Sequence, residues 1–510
     1  MNHRGRGRKW TVALPLGSAF ALWLGIGISQ VPPPAPDAVQ QAQTPRPGTA
    51  TRPEAQPSQH DRSDVFNAQN APASSTVLDS QPDKGQGLGF DFARDPFNAK
   101  RPMQTFDEIM KADVADKPGV TAAQRQLLEH RYDLTVKLDP DARMSRGKPL
   151  PVGPTARLAS NVTWEQLAAM TPEQIRARGL FPYPSLPHPK HVAGGQVFPQ
   201  MQIAMFPRLE RFDVEFDLPE AFLPEFPPAV FLQTRPELGD VSRSEVISIN
   251  NFHRLFKDLL TPVQLDGLRL LVTPFPQEEF NATDDRKSAD PSLGVACFDC
   301  HVNGHTTGQF HLNPDSRPQH RRFRLDTTSL RGLFNQQIHG SKRSLRSVED
   351  FTEFEQRTAY FNGDPIRAAK KGVNVLDRVP VSHMAQMQTM LDFPPAPKLD
   401  LHGRLTAQAT DSERRGEALF FGKAQCSGCH PPPFYLDHQM HDLKLERFLT
   451  EPPRGPIKTF TLRGIKDSPP YLHDGRALTL EDTVEFFNLV LGLGLTAQEK
   501  RDLVAFMRQL

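Results

Sequence analysis

The sequence predicts a mainly α-helical protein with long ordered loops, in which one motif-bearing unit occurs twice behind an irregular N-terminal region. Three observations predict this class. Helix-capping patterns occur at Thr163, Thr171 and Thr496 of the 510-residue chain. The segments "ACFDCHVNGH" and "AQCSGCHPPP" hold all four cysteines, each pair as Cys-x-x-Cys-His. The chain also has 49 prolines, and 34 phenylalanines against five tyrosines, which is typical of irregular segments lined by apolar side chains.

Length and charge set broad bounds. A chain of 510 residues is long enough for two or three domains. Its 60 basic and 59 acidic residues give a net charge of +1. A nearly neutral chain has no strong field that would attract nucleic acid or an anionic membrane surface, so neither is an expected partner.

The N-terminus resembles an export signal. The basic stretch "MNHRGRGRKW" is followed by residues 10–36, which contain no charged side chain. We expect residues 1–29 to be a signal peptide or an uncleaved inner-membrane anchor, and a buried core helix is the alternative. Residues 30–87 are rich in Pro, Gln and Ala without apolar periodicity, which predicts a disordered Pro-rich linker.

Residues 88–261 contain no cysteine and form an N-terminal extension, predicted to be irregular and partly helical. Two helix starts are readable, each a threonine with a glutamine three residues on: Thr163 with Gln166, and Thr171 with Gln174. The second helix is expected to stop at Gly179. Segments such as "FPRLERFDVEFDLPEAFLPEFPPAVF" favour chain wrapped over the two units that follow, and gating of a pocket is the alternative.

Three chemistries compete for the two cysteine motifs. Two Cys-x-x-Cys pairs can share one zinc ion, or each pair can be a redox dithiol. In the third, both thiols bond to the vinyl groups of a c-type haem and the adjacent histidine binds the iron. Zinc leaves the histidine after each pair unexplained, and no thioredoxin-like pattern surrounds the dithiols. We therefore predict two covalently bound haem c groups, held by Cys297, Cys300 and His301 and by Cys426, Cys429 and His430.

An internal repeat contains the two motifs. "SLRGLFNQQIHGSKRSLRSVEDF" follows the first motif and "TLRGIKDSPPYLHDGRALTLEDTVEFF" follows the second, while "QFHLN" matches "QMHDL". We name residues 262–400 the first repeat and residues 401–510 the second repeat. "SERRGEALFF" predicts a helix at the start of the second repeat, and "LTAQEKRDLVAFMRQL" predicts a closing helix capped by Thr496 and Glu499.

These motifs resemble the bacterial dihaem cytochrome c peroxidase superfamily, including the MauG-like dihaem enzymes, in an extended N-terminal branch. The resemblance rests on both Cys-x-x-Cys-His motifs, "RRGEALFF", "PIKTFTLRGI", "PYLHDGRALTLEDTVEFF" and "LTAQEKRDLVAFM". It implies two tandem c-type cytochrome domains, a peroxidatic haem in residues 262–400 and an electron-transfer haem in residues 401–510. It also implies a periplasmic oxidoreductase that reduces hydrogen peroxide through high-valent haem iron, with a small cytochrome c or cupredoxin as electron donor.

Peroxide cleavage needs a group that moves a proton between the two oxygens. "VEDFTEFEQ" lies near the position that the resemblance implies, and its candidate catalytic residues are Glu349, Glu353 and Glu355, together with Asp350. A solvated helix face is the alternative for each of them. The side chains that could bind the first iron at rest are His305, His311, His320 and His339.

One departure from the family pattern concerns the second repeat. Counting on from His473 by the family's spacing, the expected sixth ligand of the second iron falls on Phe487, which cannot bind iron. Substitute ligands by chemistry alone are His383, Met384, Met387, Met390, His438 and Met440. The resemblance also implies a calcium ion between the repeats, for which Ser468 and the carbonyl of Pro470 are candidate ligands.

Two other functions remain open at this point. The chain could be a MauG-like oxidase that modifies a partner protein or substrate, or a dihaem electron-transfer cytochrome without catalysis. A similarity to dihaem rubber dioxygenases extends only to the single module.

Overall fold

Helices dominate the part of the chain that the computed structural model describes, which comprises residues 106–186, 196–209, 217–274, 296–312, 324–343, 345–355, 378–451 and 453–510. In chain order the helices are α1 (Phe106–Arg131), α2 (Trp164–Ala168), α3 (Pro172–Arg178), α4 (Gln200–Met205), α5 (Phe252–Phe256), α6 (Pro262–Leu271), α7 (Cys297–Cys300), α8 (Val348–Glu355), α9 (Arg378–Gln388), α10 (Asp411–Phe421), α11 (Leu480–Val490) and α12 (Ala497–Met507). The strands are β1 (Leu138–Arg143), β2 (Pro149–Pro151), β3 (Gln196–Val197), β4 (Phe310–Leu312), β5 (Arg324–Asp326), β6 (Met440–His441) and β7 (Ile457–Lys458). The prediction of a mainly α-helical chain is confirmed. The predicted signal or anchor and the linker lie outside the described residues, as do His320 and the first part of the extension.

The predicted helix starts are confirmed by their caps. Thr163, Thr171 and Thr496 each accept a hydrogen bond from a backbone N–H three residues on. Such caps satisfy backbone donors that a helix start leaves without partners. α3 ends at Gly179 in the left-handed conformation, with φ 60°. Local sequence therefore determined these helices, whereas α1 and the β1–β2 hairpin were not foreseen.

Two helix pairs, one in each repeat, carry the apolar core. In the first repeat, α6 packs on α9, and in the second, α10 packs on α12. Each pair crosses at a glycine: a Cβ on Gly267 would lie 2.0 Å from the carbonyl oxygen of His383, and one on Gly416 would lie 1.9 Å from that of Asp502. The two backbones approach too closely at these points for any side chain.

One kind of backbone contact recurs in both repeats. In the first repeat, Gly332 N–H donates to the carbonyl of Leu391 at 2.8 Å, and in the second, Gly464 N–H donates to that of Leu510 at 2.9 Å. Each contact ties the Leu-Arg-Gly turn of its repeat to the chain just after the closing helix. The repeat read from the sequence is thus also a repeat of hydrogen bonds.

The structural register corrects one detail of the sequence alignment. Matching letters would align the histidine of "IHG" with that of "YLHDG", but His339 pairs across an isolated bridge with Leu345 as Tyr471 pairs with Ala477. His339 therefore corresponds to Tyr471. An alignment on the shared histidine and glycine would pair His339 with His473 and would be wrong by two residues.

The two repeats contact each other reciprocally. Lys458 N–H, on β7 of the second repeat, donates to the carbonyl of Ser341 in the first at 2.9 Å. Asp326 N–H, on β5 of the first repeat, donates to the carbonyl of His473 in the second at 3.2 Å. The register makes Asp326 the counterpart of Lys458, and Ser341 that of His473. The two contacts are therefore equivalent under a pseudo-two-fold operation.

The N-terminal extension bonds directly to both repeats. β3 adds an edge strand to the antiparallel sheet β3-β4-β5, where Val197 pairs with Phe310. Tyr132 Oη donates to the carbonyl of Arg476 at 2.7 Å, and Thr155 Oγ1 donates to Asp482 at 2.6 Å. Both contacts are buried, so the extension is part of the same packed body as the repeats. Among the described residues, no helix is long and apolar enough to cross a membrane.

Candidate functional site

The first cysteine motif begins with α7, a single helical turn. The N–H of Ala296 donates to the Asp299 carboxylate at 2.7 Å, so a side chain inside the motif caps its own turn. Phe298 is buried in the core of the first repeat beside Cys297. The turn therefore holds Cys297 and Cys300 on a fixed backbone.

Two side chains of the extension hold this motif from outside. Arg208 donates two parallel hydrogen bonds to the Asp299 carboxylate, both at 2.8 Å. Gln202, which is fully buried, donates to the carbonyl of Asp299 at 2.5 Å and accepts from Thr307 at 3.0 Å. A bidentate arginine–carboxylate pair fixes geometry as well as adding energy. The extension therefore orients the first motif, a role that the sequence did not reveal because the partners are far apart in the chain.

Each motif ends in a histidine with the same hydrogen-bond pattern. Nδ1 of His301 donates to the carbonyl of Thr328 at 2.8 Å, and Nδ1 of His430 donates to that of Tyr435 at 2.8 Å. Burial lowers the pKa of His301 to about 4 and also lowers that of His430, so both rings are neutral. A neutral imidazole that donates through Nδ1 presents Nε2 to a metal, which is how histidine ligands are usually oriented.

The cysteines do not fit the zinc or redox alternatives. None of the four is in a disulfide. Burial raises the pKa of Cys426 to about 12 and raises that of Cys429, whereas a reactive dithiol needs a lowered pKa. Within the described ranges, the metal-ligating side chains that come together are Cys429, Asp437 and His441. That group has no member from the first motif, so the two motifs do not share one ion.

The donor set of each motif does fit haem c. Two thiols on one turn and a neutral, oriented imidazole directly after them are the groups that covalent attachment and iron ligation require. No other described cluster combines these groups. Because the arrangement occurs twice, the chain has one such donor set in each repeat.

The candidate acids on α8 have different surroundings. Glu353 forms an ion pair with Arg378 on α9 at 2.7 Å, which occupies its carboxylate at the helix surface. Glu349 lies near enough to the buried His339 to influence it electrostatically. The register places Glu355 at the position that Phe487 takes in the second repeat. Glu355 is thus the carboxylate that corresponds to the expected ligand position.

Phe487 lies in an apolar cluster shared with the extension. Its ring is 5.2 Å from that of Phe486, and the same cluster contains Trp164 and Leu472. An aromatic cluster of this kind offers no donor atom to a metal. None of these neighbours of Phe487 could therefore replace it as a ligand of the second iron.

The substitute ligands mostly have other contacts. Met384 and Met387 are buried in the core of the first repeat, together with Met390 and Cys297. Nδ1 of His383 bonds to Asp266 on α6 at 2.8 Å. The run from His383 to Met390 therefore packs beside the first motif and not the second.

The two histidines near the second motif also have partners. His438 Nδ1 donates to the carbonyl of Gln337 at 2.9 Å, which ties it to the first repeat. His441 Nε2 bonds to Asp437 at 2.6 Å. His311 and His441 occupy matching strands, β4 and β6, as the repeat predicted.

The hydrogen bonds around Ser468 do not fit calcium. A calcium ion needs six to eight oxygen ligands in one place. The Ser468 hydroxyl donates to the carbonyl of Ile465 at 3.3 Å. The neighbouring carboxylate of Asp467 accepts hydrogen bonds from Arg331 and Ser145. The nearby oxygens thus already accept bonds from the chain's own nitrogen and hydroxyl groups.

A buried charge network surrounds the "HDG" turn. Asp474, which is inaccessible to solvent, accepts from Arg454 at 2.8 Å, from Arg476 at 2.5 Å and from Ser185 at 2.7 Å. Burial opposes its ionisation, but the neighbouring arginines outweigh burial and hold its pKa well below the usual range. Ser185 belongs to the extension, so this network also joins the extension to the second repeat.

Known proteins that match the sequence include proteins named cytochrome-c peroxidase and MauG. No protein-family model matches the chain. Cytochrome-c peroxidase IdrP1 of Pseudomonas sp. (strain SCT) is 25% identical, over 44% of this chain and 78% of the relative. IdrP1 of Denitromonas iodatirespirans is 30% identical, over 19% of this chain and 39% of the relative. Methylamine utilization protein MauG of Methylorubrum extorquens is 33% identical, over 19% of this chain and 34% of the relative.

Two solved structures are also similar. Hydrazine synthase of Kuenenia stuttgartiensis has a TM-score of 0.34 and 20% identity, covering 52% of this chain and 94% of that chain. A MauG-like protein associated with microbial copper homeostasis has a TM-score of 0.34 and 19% identity, covering 50% of this chain and 90% of that chain. Scores of this size establish no common fold.

The sequence matches and the two donor sets define an oxidoreductase that uses haem c. By sequence, the chain is similar to proteins named cytochrome-c peroxidase and to MauG.

Proposed function

We propose that the protein is a periplasmic dihaem c-type peroxidase that reduces hydrogen peroxide with electrons from a small cytochrome c or cupredoxin. The observation that carries the proposal is the duplicated histidine geometry, with Nδ1 of His301 and of His430 each donating to a carbonyl at 2.8 Å. The name of the peroxidase relatives supports the substrate. The basic N-terminal stretch and the uncharged residues 10–36 that follow it support export to the compartment where haem c is attached.

The cysteines and the histidine of each motif would have separate roles. Cys297 and Cys300, and their counterparts Cys426 and Cys429, would each form thioethers by adding S–H across the vinyl groups. Bound haem c would supply a redox-active iron in each repeat. His301 and His430 would bind iron from the proximal side through Nε2 while their Nδ1–H bonds fix the ring planes.

The two repeats would have unequal roles. Reduction of one peroxide takes two electrons and two protons and yields two waters, so a second redox centre can hold the second equivalent. We assign peroxide reduction to residues 262–400 and electron relay to residues 401–510. In the first repeat a carboxylate on α8 would carry the proton between the two peroxide oxygens, and Glu355 is favoured because it corresponds to Phe487.

Haem content and turnover together test the proposal. Pyridine haemochrome analysis should count two haems in the wild-type protein and one after replacement of Cys426 and Cys429. Glu355→Gln should lower kcat/KM for peroxide by about 10²-fold, the usual size of a lost acid–base contribution. Glu129→Gln, an exposed glutamate on α1, is the matched control and should leave turnover as it is.

Histidine variants separate the roles of the two repeats. His301→Gly should abolish peroxide turnover, whereas His430→Gly should slow delivery of electrons from the donor. Turnover that survives loss of His301 but not loss of His430 would reverse the assignment. Unchanged haem content in the cysteine variant would refute covalent attachment at the second motif.

A MauG-like oxidase acting on a partner protein is the second candidate. Phe487 favours it over a plain electron carrier, because an apolar cluster fills the position where a carrier would need a ligand. Electron paramagnetic resonance of the ferric protein discriminates: a carrier gives two low-spin signals, and either enzyme gives at least one high-spin signal. Steady-state turnover with a reduced small cytochrome then distinguishes the peroxidase from the oxidase.

A further inference from the structure

A buried ion pair joins the two repeats. Arg331, in the first repeat, donates from Nη1 to the carboxylate of Asp467, in the second, at 3.0 Å. The side chains are 6% and 4% accessible, so water does not screen the pair. The other terminal nitrogen of Arg331 donates to the carbonyl of Ala229, in the extension, at 2.6 Å. One guanidinium therefore holds three separate parts of the chain.

The Asp467 oxygens have partners beyond Arg331. Ser145 of the extension donates to the carboxylate through its N–H at 2.9 Å and its hydroxyl at 2.6 Å. The backbone carbonyl of Asp467 accepts from Nε2 of His305 at 2.9 Å, while Nδ1 of the same ring bonds to Ser329 at 2.7 Å. The carboxylate and the carbonyl, which are the groups a hard cation would use, are thus both occupied by donors of this chain.

The junction is specific to one side of the pseudo-two-fold arrangement. The counterpart of Arg331 is Arg463, whose guanidinium donates to the carbonyls of Leu510 and Pro394 at 2.7 and 3.3 Å. The counterpart of Asp467 is Asn335, which is neutral. The ion pair of Arg331 with Asp467 therefore has no equivalent between the matched residues Arg463 and Asn335.

We propose that Arg331 is the built-in cation of the inter-repeat junction, and that this protein joins its repeats without the calcium ion that the family resemblance implies. The guanidinium supplies the positive charge that a metal would bring, in a planar form that meets Asp467 and Ala229 together. Ser468 keeps its hydroxyl within its own turn and does not take part. The inference concerns the joint between the repeats and does not depend on which reaction they catalyse.

Metal titration of the haem-loaded full-length protein tests the first half of the proposal. Thermal unfolding and ferric electron paramagnetic resonance spectra are recorded after dialysis against EDTA and after addition of 1 mM calcium chloride. We expect the melting temperature to change by less than about 1 °C and the spectra to coincide. A melting temperature that falls with EDTA and recovers with calcium, with recovery lost in Ser468→Ala, would overturn the proposal even if peroxide turnover were normal.

A double-mutant comparison tests the second half. Arg331→Met and Asp467→Asn should each lower the melting temperature by about 5 °C or more, because each leaves a buried charge unpaired. The double variant should lose less than the sum of the two single losses. Arg463→Met combined with Asp467→Asn is the matched control and should be additive. Additive losses for both combinations would show that Arg331 and Asp467 do not act as a pair.

Discussion

Phe487 stands at the position where the family resemblance implies the sixth ligand of the second iron. It packs against Phe486 and Leu472 in an apolar cluster, and the methionines at 384 and 387 are buried in the first repeat. The position is therefore lined by carbon, and a ligand would have to be added to it. A methionine is close in volume to phenylalanine and can be accommodated by such a cluster at small cost.

We predict that Phe487→Met will supply a thioether ligand to the second haem. A high-spin ferric signal should be converted into a low-spin signal, which electron paramagnetic resonance measures directly. Phe486→Met, at the neighbouring buried ring, is the control and should leave the signals unchanged. A wild-type spectrum retained in Phe487→Met would mean that another group, with Met440 or His438 the remaining candidates, already binds the iron.

Single residues also mark the limit of what the sequence predicted. Cys-x-x-Cys-His and the threonine caps are local patterns, so the donor sets at His301 and His430 and the start of α12 could be read directly. The Arg208–Asp299 pair joins positions that no local pattern connects. The same holds for Arg331 with Asp467. Contacts of this kind are set by how the elements pack, which a single sequence does not encode in its local spacing.

The crossing of α10 and α12 shows how an element constrains its sequence. Gly416 faces the carbonyl of Asp502 so closely that a Cβ would lie 1.9 Å from that oxygen. Ser412 and Arg415, on the same helix, bond to the Asp502 side chain at 2.6 and 2.8 Å. The helices are therefore fixed in register at this crossing and cannot slide apart without losing these bonds.

Gly416→Ala should destabilise the second repeat by about 1–3 kcal/mol, the usual cost of inserting a methyl group into a well-packed contact. Urea unfolding followed by circular dichroism measures the change. Gly119→Ala, in α1, is the matched control, since no atom lies within 4 Å of its Cβ position and alanine favours helix. The explanation fails if both variants are equally stable or if Gly416→Ala is the more stable.

The sequence predicted only part of the residue-by-residue alignment between the two repeats. Leu-Arg-Gly turns and the "QFHLN" and "QMHDL" strands align as predicted. The turn at His339 does not, because its bridge to Leu345 makes it the counterpart of Tyr471. Matching letters favoured one alignment, and backbone pairing selected another.

The molecule as a whole should be sensitive to acid through its buried histidines. Burial lowers the pKa of His473 to about 3, and its Nε2 faces Arg454 at 2.5 Å. An unfolded histidine has a pKa of about 6.5, so below that pH the unfolded chain binds a proton that the folded chain does not. Stability is therefore fully present above about pH 6.5 and is lost as the pH falls toward 3.

His473→Gln should flatten this dependence by up to about 1.4 kcal/mol per pH unit between pH 6.5 and 4. The free energy of unfolding in urea, measured at several pH values across that range, gives the slope. His402→Gln, at an exposed position, should leave the slope unchanged. Equal slopes for the wild-type protein and His473→Gln would show that His473 does not contribute to acid sensitivity.

The reciprocal hydrogen bonds between the repeats bear on how the chain arose. Lys458 N–H reaches Ser341 as Asp326 N–H reaches His473, at 2.9 and 3.2 Å. Two copies of one module that bind through a single self-complementary patch make such a pair of contacts, each identical to the other. Duplication and fusion of the gene for a symmetric dimer would produce this chain. The unlike residues now found at matched places, Glu355 with Phe487 and Asp467 with Asn335, record how far the two halves have since diverged.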